Sequence, residues 1–204
     1  MTKLQARSKP QQERSRKRVN LILDTAEQLV MEKGFESVTA QMISQETNIS
    51  PGVIYHYFPG KHGIFAAVAD RTFRNLETRM SDIYAKASAD MPFESLIDEI
   101  VDDLVRYWRS HKAAILMWQA QEHSPRMDPV TKVLKKKGIQ RNAELLRVYF
   151  PSLSKARINT KAMIMEEVSF CLLRQTIINN RNEAARIVEE LKCILKNLMV
   201  ECAD

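Results

Sequence analysis

The chain has 204 residues, 45% of them apolar, with only 5 glycines, 7 prolines and 3 cysteines and a formal net charge of +6. That is material for one large domain or two small ones, and it argues for long helices over a turn-dense β architecture. No apolar run approaches the roughly 20 residues needed to span a bilayer, no apolar segment follows the basic N-terminus as in a signal peptide, and Cys171, Cys193 and Cys202 lack C-x-x-C spacing, so the expected setting is the cytoplasm, away from any membrane.

The charge is uneven. Met1 to Arg18 holds Lys3, Arg7, Lys9, Arg14, Arg16, Lys17 and Arg18 against one acid, Glu13, and beyond it 24 bases face 24 acids. A basic arm over residues 1–13, beside a folded domain, reads as a phosphate-binding tail; a solvated terminus without a partner is the alternative.

The apolar spacing then predicts helices nearly throughout. The first runs from about Arg14 to Lys33, with Val19, Ile22, Ala26, Leu29 and Val30 in phase, and Gly34 stops it. A short helix follows Thr39 as N-cap and ends near Thr47. Asn48 suits the left-handed conformation of a tight turn. Ser50 is expected to cap a third helix with Pro51 at its first position, and that helix ends at Tyr55, Tyr57 and Phe58 before Pro59-Gly60. A long helix is predicted from about Lys61 to Ala89, then an amphipathic one from Phe93 to Trp108 and a shorter one from Ala113 to Glu122. Ser124 to Pro129 reads as a loop. Val130 to Phe150 is helical again. Lys155 to Asn180 is apolar on most sides of its second half, so it must be covered on most sides. Arg181 to Glu201 is amphipathic. The fold class is all-α, with a three-helix helix-turn-helix over residues 14–60 and a C-terminal helical domain over 61–204.

Thr39 to Phe58 has the form of a helix-turn-helix, whose second helix lies in the major groove. Gly52 is poor for helix stability, which close approach to a ligand or an N-terminal position would explain. Tyr55, His56 and Tyr57 can donate to phosphates. Tyr55 divides evenly between a groove role and the small domain's core, and Phe58 is assigned to the core. Lys61 opposes the dipole of the helix it opens, a conflict that a phosphate would resolve.

The stretch TAQMISQETNISPGVIYHYFPGKHGIF resembles the signature of the TetR family, through Ile43, Asn48, Ser50, Gly52, Tyr55, Tyr57-Phe58 and Lys61. It departs at Ser44 and Thr47, where small Ala is usual, at Asn48 for Gly, and at His62 for an acid. The resemblance implies phosphate contacts from Thr39, Ser50, Tyr57 and Lys61. It places Pro51, Gly52, Val53, Tyr55 and His56 at or beside the groove. It also implies a homodimer joined through the last two helices, a palindromic double-stranded operator and repression relieved by a small-molecule effector. Tyr107, Trp108, Met117, Trp118, Phe150, Met163, Met165 and Phe170 are candidates for an effector pocket, with core as the alternative for each. Arg174 is expected either to meet an anionic effector or to pair with Glu166 or Glu167. No cofactor, metal site or catalytic residue is expected: His56, His62, His111 and His123 form no H-E-x-x-H pattern, and phosphate-binding and G-x-S-x-G loops are missing. Control by a protein partner, or a helical interaction protein that no longer binds DNA, are the competing readings.

Overall fold

The computed structural model describes residues 8–87, 91–119 and 128–198. All regular structure among them is helical: α1 Ser8–Lys33, α2 Ala40–Thr47, α3 Pro51–Tyr57, α4 Gly60–Tyr84, α5 Phe93–Ser110, α6 Lys112–Gln119, α7 Asp128–Tyr149, α8 Lys155–Ile178 and α9 Arg181–Asn197. Of the basic arm, Lys3 and Arg7 lie outside the described residues, while α1 begins six residues ahead of the predicted Arg14. Pro10 falls in its first turn, where a missing N–H breaks no intrahelical bond. The predicted loop lies mostly outside the described residues, but Pro129 belongs to the first turn of α7, for the same reason. α4 stops at Tyr84 short of Ala89, and its end tightens: Lys86 and Ala87 donate to the carbonyls of Ile83 and Tyr84, three residues back.

The chain forms two compact units, Met1–Thr72 with Ala113–His123, and Phe73–Lys112 with Ser124–Asp204. The division differs from a boundary at residue 61. Ile64, Phe65 and Val68 of α4 and Ala113, Ala114 and Met117 of α6 are buried in the same cluster as Ile22 and Ala26 of α1. In that first unit α2 packs on α1 and α3 on α2. Gly34 closes α1 at φ +79°, its N–H bonded to the Val30 carbonyl at 3.0 Å, the left-handed cap a side chain would strain.

In the second unit α7 packs on α8, α8 on α9, and α5 on both α8 and α9. α5 buries the stripe Phe93, Leu96, Ile97, Ile100 and Val101 along with Tyr107 and Trp108. Asp103 is buried in the same helix, held by Arg79 and Arg106. The Arg79 hydrogen bond is the main reason its carboxyl titrates below the usual range. α8 buries Ile158, Ala162, Met165, Leu173 and Thr176. Its other side is uncovered, Met163 and Ile178 being 47% and 54% exposed. Beside it on α9, Ile194 is 41% exposed.

Candidate nucleic-acid interface and ligand cavity

The turn between α2 and α3 is built from side chains as much as from backbone. Thr39 caps α2, its hydroxyl accepting from the Met42 N–H at 3.2 Å. Asn48 takes the left-handed conformation at φ 55°. Thr47, where small Ala is usual, is buried and closes the turn. Its hydroxyl donates to the Ile43 carbonyl at 2.7 Å and accepts from the Ile49 N–H at 3.3 Å. A polar group at the helix crossing is therefore fully used, which the chain alone could not reveal.

α3 divides cleanly. Ile54 is buried, and Phe58 just beyond the helix packs in the same core. Val53 is half-buried, and Pro51, Gly52, Tyr55 and His56 are exposed. Tyr55, at 57% exposure, belongs to the surface and not to the small domain's core. Ser50 occupies the N-cap position, and its carbonyl accepts from the N–H groups of Val53 and Ile54. Its side chain makes no capping bond, contrary to expectation: the backbone alone starts the helix, and the hydroxyl stays exposed. A Cβ added to Gly52 would meet nothing within 4 Å, so neither packing nor backbone conformation requires glycine there.

Tyr57 is half-buried, its hydroxyl 3.1 Å from the Ser15 Oγ of α1 and its ring edge-on to His56. Lys61 has partners within the protein. Its ammonium donates to the Glu36 carbonyl at 3.1 Å, lies 3.9 Å from the Glu36 carboxylate and sits over the Phe35 ring at 5.1 Å. These contacts offset its conflict with the helix dipole without a phosphate. The ammonium remains near the surface, with the side chain 24% exposed. Along α1, Arg14, Arg16, Lys17 and Arg18 are exposed, Lys17 pairing with Glu13 at 3.2 Å.

The second unit holds a cavity of about 80 Å³ between α4, α5, α7 and α8, with Leu195 of α9 also in its lining. Of the sequence candidates, Trp108, Met165 and Phe170 line it. The others lie elsewhere. Tyr107 is buried and stacks on His111 at 4.1 Å. Met117 is in the core of the first unit. Phe150 packs edge-on against Phe93. Met163 is exposed, and Arg174 is half-buried outside the lining. The Trp118 side chain lies outside the described residues.

The polar wall of the cavity went unread in the sequence. Tyr84 donates to the Asn142 side-chain oxygen at 2.7 Å, and the Asn142 amide donates to Glu166 at 3.2 Å. Arg141 reaches Glu77 at 3.1 Å with its guanidinium over the Tyr84 ring. Glu166 titrates at about 7, loss of solvent pushing it up against the opposing pull of Arg141. Both acids of α8 thus face α7, Glu167 meeting Lys135 at 2.9 Å. The sequence signals were a glycine inside a helix, Gly138, and an acid inside an apolar run.

Comparisons with known proteins agree with this layout. Residues 22–68 match the bacterial regulatory proteins of the tetR family, and residues 92–198 match the tetracyclin repressor-like C-terminal domain. The HTH-type transcriptional regulator YuxN of Bacillus subtilis is 33% identical over 69 residues, 34% of this chain and 24% of that protein. The HTH-type transcriptional regulator BetI of Vibrio parahaemolyticus is 25% identical over 103 residues, 49% of this chain and 52% of BetI. The chain thus spans between a quarter and about half the length of these two relatives. A transcriptional regulator of the TetR/AcrR family from Thermobifida fusca shares the fold at TM-score 0.70 and 17% identity, over 89% of this chain and 97% of that one. No helix among the described residues is long and apolar enough to cross a membrane. With both halves matched and the helix-turn-helix formed, the chain belongs to the TetR family of DNA-binding transcriptional regulators.

Proposed function

We propose that this regulator is a homodimeric repressor that grips a palindromic operator through α3 and lets go when a small molecule occupies the C-terminal unit. The observation that carries the DNA-reading half is the outer face of α3. Ser50, Pro51, Gly52, Tyr55 and His56 are exposed, and the Ser50 hydroxyl takes no part in capping. Small residues at a helix start let the backbone approach base edges, while Ser50, Thr39, Tyr57 and Lys61 hold phosphates on either side.

The apolar residues left uncovered on α8 and α9 support a two-fold interface there, since a second copy would bury Met163, Ile178 and Ile194. Two recognition helices in such a dimer meet half-sites about 34 Å apart or a multiple of that. A cavity with a polar wall favours a small-molecule effector over a protein partner, for which a filled core would be expected.

Fluorescence anisotropy against the DNA flanking the chain's own gene, with scrambled DNA as control and salt varied, tests the reading. Preference for a palindromic stretch is the expected result. No binding to either DNA at low salt would overturn it in favour of an interaction protein.

A further inference from the structure

Gly138 stands inside α7, where glycine costs about 1 kcal/mol against alanine. A Cβ there would lie 2.3 Å from the carboxyl carbon and both oxygens of Glu166. α7 thus gives up a side chain to make room for that carboxyl group. Glu166 has one hydrogen-bond partner among the described residues, the neutral amide of Asn142. A carboxyl group withdrawn from water with so little compensation is costly, and the helix beside it is weakened to admit it. Two unfavourable features side by side at a cavity mark a binding site.

We propose that this cavity takes a small organic cation, its ammonium against the Glu166 carboxylate and its carbon body against Tyr84, Trp108, Met165 and Phe170. The aromatic faces favour a cation as well as its carbon atoms. The charges around Glu166 fit this choice. On α7, Arg141 is engaged by Glu77 and the Tyr84 ring, and Lys135 by Glu167. Arg141 and Lys135 favour the ionised form of Glu166, and Glu167 opposes it. No base makes an ion pair with Glu166 among the described residues, so that place is open to a ligand. At a volume of about 80 Å³, the ligand is compact, a few carbons around one ammonium. An open groove between α4 and α7 shares Glu77, Tyr84 and Arg141 with the cavity wall.

The proposal deepens the effector reading and is tested without DNA. Thermal unfolding of the full chain is followed with tert-butylammonium, tert-butanol and pivalate, which match in shape and differ in charge. The anion is included because the buried Arg141 Nε–H has no acceptor among the described residues. We expect tert-butylammonium to raise Tm most, with affinity about tenfold weaker at pH 6 than at pH 8 as Glu166 takes up its proton. Glu166→Gln should abolish the preference for the cation. Should that variant fail to fold, Glu166→Asp, which withdraws the carboxylate by one methylene, should weaken the cation about tenfold or more. Equal or greater stabilisation by pivalate, a cation effect unchanged in the variant, or no shift with any probe would each overturn the assignment. Operator binding measured with the same probes is a separate readout. A bound cation that leaves DNA affinity unchanged would sink the effector role and leave the ligand class standing.

Discussion

The two compact units place their polar groups in opposite ways. In the N-terminal unit the buried polar group at the turn, Thr47, is bonded on both sides, and Ser50, Pro51, Gly52, Tyr55 and His56 lie outside at α3. In the C-terminal unit the residues at odds with their surroundings are inside: Glu166 with a single, neutral hydrogen-bond partner among the described residues, and Gly138 making space for it. On the function proposed above, one surface would meet a large polyanion from outside and the other would enclose something small. Stability and function therefore separate differently. Changes on α3 should touch DNA and little else, whereas changes at Glu166 should move stability and binding together.

Four substitutions sharpen or break this contrast. Gly52→Leu should keep the fold, since nothing lies within 4 Å of the new Cβ, and abolish operator binding by about 100-fold or more, ~2.7 kcal/mol. Unchanged affinity in an anisotropy titration would remove α3 from the groove. Glu166→Gln should show the opposite balance. Burial raises this acid from an ordinary 4.5 to about 7, so the native chain holds a proton that the unfolded chain releases. The wild type then loses stability as pH rises from 4.5 to 7, on the order of 3 kcal/mol. The Gln variant should lack that slope in urea unfolding between pH 5 and pH 8. Asp103, displaced downward, loses its contribution only at lower pH and leaves this window clear. Lys61→Ala should weaken all DNAs about tenfold and reduce the salt slope by about one. Its melting temperature should barely move, since an exposed ion pair and ring contact contribute under about 1 kcal/mol. Thr47→Val, the smallest effect, should cost about 1 kcal/mol by removing the hydroxyl that closes the turn, visible as a lower denaturation midpoint.

The N-terminal half was legible because its signals are local. Thr39, Asn48 and Pro51 act on their immediate neighbours, and the bounds of α2 and α3 follow from them. α1 was read too short because its apolar phase begins only at Val19, while the polar turns from Ser8 onward are helical too. The cavity was legible only in part, at Trp108, Met165 and Phe170. Trp108 and Phe170 signal themselves by type, but Tyr84, Asn142 and Glu166 come together from three helices separated by as many as 58 and 24 residues. Met117 was a candidate for the pocket with core as its alternative, and core is where it lies. That α6 packs into the first unit's core is a tertiary choice that no periodicity encodes.

Lys61 is already docked when the protein is free, stretched across Phe35 with its ammonium at the Glu36 carbonyl. A lysine that waves in water must be stilled when it meets a phosphate, and stilling so long a chain costs about 2 kcal/mol of rotamer freedom. Here folding has done most of that already. An arriving phosphate need only take over from a carbonyl, an exchange of acceptors. In the proposed complex the side chain would act as a latch already near its catch, favouring rapid engagement of any duplex and leaving the choice among sequences to α3.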